Sequence, residues 1–456
     1  MAERSRSGGG IQGGVAWIVL IAVLLAAVGL GGNREQVWVP LAAVLLLAFA
    51  IQSLLGLRAS GAGLAFRKGI VPLLLFLGVL VWAATQAWPD LIAGWAHPVW
   101  SAVDAPASIS AAPQETRQGL LRLAAYGAAF WVAVRAAEHT VRVSRLVDAI
   151  AVFGTLLAAY GLAAWGTGQN PVTGESAYPG YVTSTFVNRN AYALYAAFGC
   201  MACITAIAMR LPDQASEGLA RSVAKREMIE ILTRTAWVFT LGALVCAVAM
   251  LLTGSRAGAV CGMAGIALVL TSMVRRHLGI GWAIGVLVLL VVVPGALAPV
   301  LTERLGGLDP WADQRFQVYA LVIEGLSDRP WLGHGLGAFQ DTFRAYMVDG
   351  MGTQEWDLAH SSYLENAWEL GIAGAVALTL VPVVILFGIM AGLGRRRRMR
   401  PVLIFGLGAG LAAGFHAAVD FSMQMPATAA LFTVILGLAW GLAIRPVARG
   451  MDVLDD

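Results

Sequence analysis

Residues 362–391 read SYLENAWELGIAGAVALTLVPVVILFGIMA, and LGRRRRMR follows at 393–400. A helix needs roughly 20 mostly apolar residues to cross a bilayer core, and this stretch exceeds that. Its only charges are Glu365 and Glu369, both near the start. The arginines behind it mark a cytoplasmic end, because loops on that side carry the excess of Lys and Arg. Similar apolar stretches lie at 15–31, 37–57, 70–88, 118–137, 145–166, 188–209, 235–254, 257–274, 279–300, 401–419 and 427–444. The sequence therefore predicts an all-α polytopic membrane protein of about twelve spans. Composition agrees: 58% of the residues are hydrophobic and 13% charged, whereas a soluble domain carries about a quarter charged.

With the N-terminus inside, every cytoplasmic loop is basic. Both termini are then cytoplasmic. The exceptions on the outer side or in the membrane are Arg34, Arg117, Arg122, Arg189, Arg256, Arg304, Arg315, Arg329 and Arg344. The net charge of +4 is thus a topology signal and gives no reason to expect nucleic acid. No small-residue cleavage site precedes the second span, so the first helix is expected to be retained. Cys200, Cys203, Cys246 and Cys261 all fall in spans, where they read as small packing residues and not as a disulfide framework. The 53 glycines suit close approach of membrane helices. No pair of similar halves, such as many secondary transporters carry, is visible.

Three connections are long. Residues 210–234 include a basic amphipathic stretch, 221–234, expected on the membrane surface. Residues 89–117 are external and rich in Pro, Ser and Ala. Residues 301–361 form the largest external segment, and loops of that size usually carry function. Phe316, Tyr319, Ala320 and Ile323 follow helical spacing, which predicts a helix over 312–327. The glycines of Trp331-Leu-Gly-His-Gly-Leu-Gly337 then break the pattern as a shaping turn around His334, and a short helix is expected near 338–347.

The predicted outer face gathers the residues that carry chemistry. Arg189 stands in Asn188-Arg189-Asn190, Arg256 in Thr253-Gly-Ser255-Arg-Ala-Gly258, and Arg315 opens the loop helix. Arg122 lies about a turn inside its span, where an ionisable group is a site candidate. His360 precedes the long span, and His416 and Asp420 close another. A guanidinium pairs with phosphate oxygens in a bidentate fork and stays charged. Converging arginines at headgroup depth can stabilise a diphosphate leaving group electrostatically. His360 is the candidate general base, since neutral imidazole accepts a proton near pH 7. Glu365, one turn along the same helix, is the next candidate. Glu355 and Asp357 are the close carboxylate pair able to hold a divalent metal, but the expectation is a reaction without metal or other cofactor.

Taken in order, Phe186-Val-Asn-Arg-Asn190, Ser255-Arg256-Ala-Gly258, Pro330-x-x-Gly-x-Gly-x-Gly-x-Phe339, His360-x10-Gly371 and Asp420-Phe-x-x-Gln-x-Pro426 resemble the O-antigen ligase and O-antigen polymerase family. The resemblance spans roughly 180–440; at one departure, Ser361 follows His360 where the family often has Asn. It implies a bacterial inner-membrane glycosyltransferase of C-type architecture with a periplasmic active face. Such an enzyme is usually inverting and metal-independent. It moves a glycan from an undecaprenyl-diphosphate-linked donor to a saccharide or lipid acceptor. Carried onto this chain, Arg256 and Arg315 hold the diphosphate, with Arg189 and Arg122 beside them, and His360 stands near the acceptor. Asn190, Ser255, Glu365 and Asp420 are supporting residues. The implied organisation is an N-terminal bundle over 1–180, a ligase-like core over 181–445 that includes the 301–361 loop, and a tail over 446–456. Membrane lipids and polysaccharide chain-length or export proteins are the implied further partners. Rival readings are a transporter or flippase of lipid-linked oligosaccharide and a protein O-oligosaccharyltransferase. Transporters place charges at mid-membrane on broken helices, whereas here they crowd one face.

Overall fold

A computed structural model describes residues 2–56, 69–92, 94–174, 178–211, 230–277, 311–348, 356–395 and 399–445, with the single positions 226 and 281. Most of the 221–234 stretch, the stretch near 279–300, Glu355 and the tail beyond 445 lie outside these described residues. Among the described residues all regular structure is helical. Lipid offers no hydrogen-bond partners, so a spanning segment has to satisfy its backbone internally. The helices are α1 (Ala2–Val28), α2 (Glu35–Gly56), α3 (Ile70–Ala87), α4 (Pro113–Ala136), α5 (Thr140–Thr167), α6 (Arg189–Ala208) and α7 (Trp237–Leu252). They continue with α8 (Arg256–His277), α9 (Trp311–Leu326), α10 (Phe339–Phe343), α11 (Ser362–Gly392), α12 (Arg400–Ala417) and α13 (Pro426–Ile444).

Among the described residues nine helices are long and apolar enough to cross a membrane: α1, α2, α3, α5, α6, α8, α11, α12 and α13. Every predicted stretch except 279–300 coincides with a helix. Two of those helices fall outside the nine. α4 carries Glu115, Arg117, Arg122 and Arg135, and α7 has only 16 residues. The all-helical, polytopic class therefore stands without a fixed count of twelve. The loop helices also form, as α9 and as α10 followed by a 3-10 turn over Arg344–Tyr346.

Two helices form the centre. Within the apolar windows of α6 and of α13, 94% of residues are buried. The first is packed by α5, α7, α8 and α12, the second by α1, α4, α11 and α12. Glycines permit this closeness. A Cβ at Gly154 of α5 would stand 2.8 Å from the Gly199 backbone of α6. Gly437 and Gly441, one turn apart on α13, face the Phe130 and Val134 carbonyls of α4, the small-xxx-small device of membrane helices. All four cysteines are buried and unbridged, as packing residues should be.

The long helix α11 is broken at Gly371, where φ is +72°. A side chain there would overlap the Trp331 carbonyl, and the backbone lies in the left-handed region that glycine enters without steric cost. The break leaves carbonyls of the preceding turn without helical donors. The turn at 330–337 supplies them: His334 N–H donates to Trp368 O and Gly335 N–H to Glu369 O, each at 2.9 Å. From α3, the Gln86 side-chain amide donates to Leu332 O and Glu369 O, and Trp82 Nε1 to Leu370 O. The glycine-rich turn is thus the shaping device expected, and it fastens the loop face to a kinked span.

Candidate active site

One large cavity, about 1260 Å³, runs through the bundle. At the loop face it is lined by Arg122, Arg189, Arg315, His360, Glu365 and Glu369. Farther in the lining becomes apolar, with Phe49 of α2, Phe76 of α3, Leu386 of α11 and Trp440 of α13. Ser53, Gly69 and Val134 also line it, and these stand near the helix ends away from the loop face. The space therefore spans nearly the whole height of the bundle, polar at one end and apolar along the rest.

Each polar residue is placed by local structure. Asn188 caps α6, its Oδ1 accepting from the N–H groups of Asn190 and Ala191 at 2.8 and 3.0 Å. Arg189 then occupies the first helical position, where the dipole disfavours a cation. Tyr178 and Tyr181 offset this, their ring centres 5.2 and 4.4 Å from the guanidinium. Asn190 Nδ2 donates at 2.6 Å to Oδ2 of Asp420, which is fully buried. The same Oδ2 lies 4.0 Å from His360 Nδ1, beyond direct hydrogen-bond range. Trp356 and Phe421 meet the His360 ring edge to face. Arg122 stacks over Trp38 at 5.3 Å and lies within electrostatic reach of Glu365 and Glu369. Arg315, half-buried, has an Nε with no hydrogen-bond partner among the described residues.

Not every predicted site residue joins the cavity wall. Arg256 is exposed and is not among the lining residues. It starts α8 on the same rim, where Gly254 faces Tyr181 and Gly258 faces Ala193 of α6. Ser255 supports that helix start directly, its Oγ accepting from Gly258 N–H at 3.0 Å. His416 is fully buried, with both ring nitrogens lacking hydrogen-bond partners among the described residues, and it too is off the wall. Asp357 accepts from Gln340 Nε2 at 2.7 Å, and its predicted partner Glu355 lies outside the described residues. Among the described residues no three His, Cys, Asp or Glu side chains cluster as metal ligands.

Glu369, Gln86 and Trp82 are not among the site candidates read from the sequence. The signal for Glu369 was present: a carboxylate inside an apolar run is costly unless it has partners. Its Oε1 accepts from Phe339 N–H. Gln86 and Trp82 gave no comparable signal, since their role exists only once α11 breaks.

Above the wall, His334 stacks on Trp368 with ring centres 4.3 Å apart. Its Nδ1 lies 3.0 Å from Nε2 of His97 in the preceding loop. Burial, with Arg329 adding to it, lowers the His97 pKa to about 4. Burial first, then His97 and Arg329, also lowers His334 to about 4. Both rings are neutral at pH 7, so one can donate and the other accept. The unfolded chain binds these protons near pH 6.5. The contact's stabilisation is therefore complete above about pH 6.5 and lost as pH falls toward 4. The thermal midpoint in detergent should drop between pH 7 and 5, and His97→Gln should flatten that slope. A slope equal to wild type would remove the pair from the account.

No curated protein matches the chain. Residues 241–379, from α7 to the middle of α11, carry Ser255, Arg256, Arg315, His360, Glu365 and Glu369, while Arg122, Arg189 and Asp420 approach from outside them. That segment matches the family model described as O-antigen ligase, so over residues 241–379 the chain is similar to that family.

Proposed function

We propose that the protein transfers a glycan from a polyprenyl-diphosphate donor, of the undecaprenyl type, to a saccharide or lipid acceptor at the outer face of the bacterial inner membrane. The observation that carries this is the cavity itself: arginines and His360 at one end, and an apolar lining to nearly the opposite end. A ligand with an anionic head and a long hydrocarbon tail fits that polarity. The excess of Lys and Arg in the opposite loops supports an outer location for the 301–361 segment. In the reaction His360 accepts the proton of the acceptor hydroxyl, whose oxygen attacks the anomeric carbon. The bond from that carbon to the diphosphate oxygen breaks, and Arg315, Arg122 and Arg189 balance the charge on the departing diphosphate. Attack opposite the leaving group inverts the anomeric centre, and the residues named need no metal for these steps. Clustering of the charged lining at one end supports surface chemistry over translocation.

Deletion of the gene followed by glycan analysis tests the reading and separates its branches. Loss of attached O-chains means ligation; loss of chain length in lipopolysaccharide or exopolysaccharide means polymerisation; loss of protein glycan means protein O-glycosylation. Loss of surface glycan with lipid-linked precursor held at the inner leaflet would support a flippase instead.

A further inference from the structure

His360 has a φ of +54°. A non-glycine residue in the left-handed region is strained and persists only where its surroundings hold it. Two side chains from different elements hold this one. Tyr319 of α9 donates its hydroxyl to the His360 carbonyl at 2.7 Å. Glu365, 2% exposed, turns back from α11 so that Oε2 accepts the Ala359 N–H at 2.8 Å. On the far side Ser361 caps α11, accepting from Leu364 N–H, and Ser362 Oγ donates to Asp420 O and to Gln424 Oε1. The peptide after His360 and the peptide before Ala359 are therefore fastened, and the ring is left between Trp356 and Phe421 at the cavity wall.

We propose that Glu365, with Tyr319, is a positioning residue that locks the left-handed backbone at His360 and so aims its imidazole into the cavity. Glu365 acts through an acceptor oxygen and takes no proton from substrate. This resolves the ambiguity of two candidate bases one turn apart: His360 is the base and Glu365 its fastening. The inference rests on the transfer reaction proposed above.

The conservative variant discriminates. Glu365→Gln keeps an oxygen able to accept the Ala359 N–H, whereas Glu365→Ala removes it. The full-length protein in detergent is assayed with a synthetic undecaprenyl-diphosphate oligosaccharide as donor. The acceptor is a second copy of that lipid or lipid A–core, whichever the wild type uses. For Glu365→Ala, kcat should fall about 10²-fold with the donor KM nearly unchanged, the signature of a misaligned catalytic group. Glu365→Gln should stay within about fivefold of wild type, because the amide oxygen still accepts the Ala359 N–H. Tyr319→Phe removes one hydroxyl and nothing else, and should lower kcat about five- to tenfold, the equivalent of one hydrogen bond. A dead Glu365→Gln would show that the carboxylate takes part directly and overturn the inference. A normal kcat in Glu365→Ala would overturn it as well; if that variant fails to fold, a normal kcat in Tyr319→Phe does so. A wild type inactive with both acceptors overturns the transfer reading, and this inference with it. A competent wild type with His360→Ala dead and Glu365→Ala fully active overturns this inference alone.

Discussion

Replacing His360 by alanine is expected to lower glycan transfer by roughly 10² to 10⁴, the range for loss of a general base. The donor KM should hardly change, because in the proposed reaction the imidazole acts on the acceptor proton and not on the diphosphate. The structure gives the expectation a physical basis. The ring stands at the cavity wall between Trp356 and Phe421, and its Nδ1 side faces the buried Asp420 carboxylate. A carboxylate on that side favours the tautomer in which Nε2 is the acceptor nitrogen. Asp420 is itself fixed by Asn190, so the His360 site draws on α6 and the α12–α13 turn as well as on its own helix. Transfer by the purified protein, with and without chelator, is the measurement. A rate abolished by chelator and restored by magnesium or manganese would reject the mechanism and direct attention to Glu355 and Asp357. An unchanged rate in His360→Ala would leave the arginines standing and require another base.

At Arg315 the expected loss is of similar size but different in kind. Arg315→Lys keeps one positive charge and loses the planar fork, and a lone ammonium cannot bind two diphosphate oxygens side by side. The Nε of Arg315 is buried at the cavity without a hydrogen-bond partner among the described residues, a donor suited to an arriving anion. The kcat/KM of Arg315→Lys should fall about 10²-fold, in the range measured when one donor to a developing anion is removed. Arg256→Lys should also lose activity, about tenfold, since this arginine is exposed on the rim, where a contact with a diphosphate would be open to water. Full activity in both variants would remove the diphosphate role. A larger loss at Arg256 than at Arg315 would show that the rim arginine closes over the head group.

Much of this architecture was legible in the chain. The run at 362–391 became α11, and its charges, Glu365 and Glu369, sit at the polar end of the cavity. Helical spacing of Phe316, Tyr319, Ala320 and Ile323 became α9, but Phe316 and Ile323 are exposed, and Val318 and Val322 form the face that packs with Phe339, Phe343 and Trp368. These readings succeed because lipid leaves the backbone one economical option and because apolar spacing at the helical period reports a helix, though not which of its faces is buried. A hydropathy window does not report how a helix is rotated about its own axis or which neighbour it meets. Only the packed bundle decided that Arg122, Arg189 and Arg315 share a wall while Arg256 stays on the rim. The Gln86 and Trp82 contacts to α11 likewise appear only after Gly371 breaks the helix and exposes carbonyls to be satisfied. The sequence by itself determined most of the helical spans and the residue types that line the polar end of the cavity, which follow from one-dimensional length and charge. Tertiary structure alone decided which of those residues converge and how His360 is held, because convergence depends on helix rotation and close glycine-mediated crossing, which no linear spacing encodes.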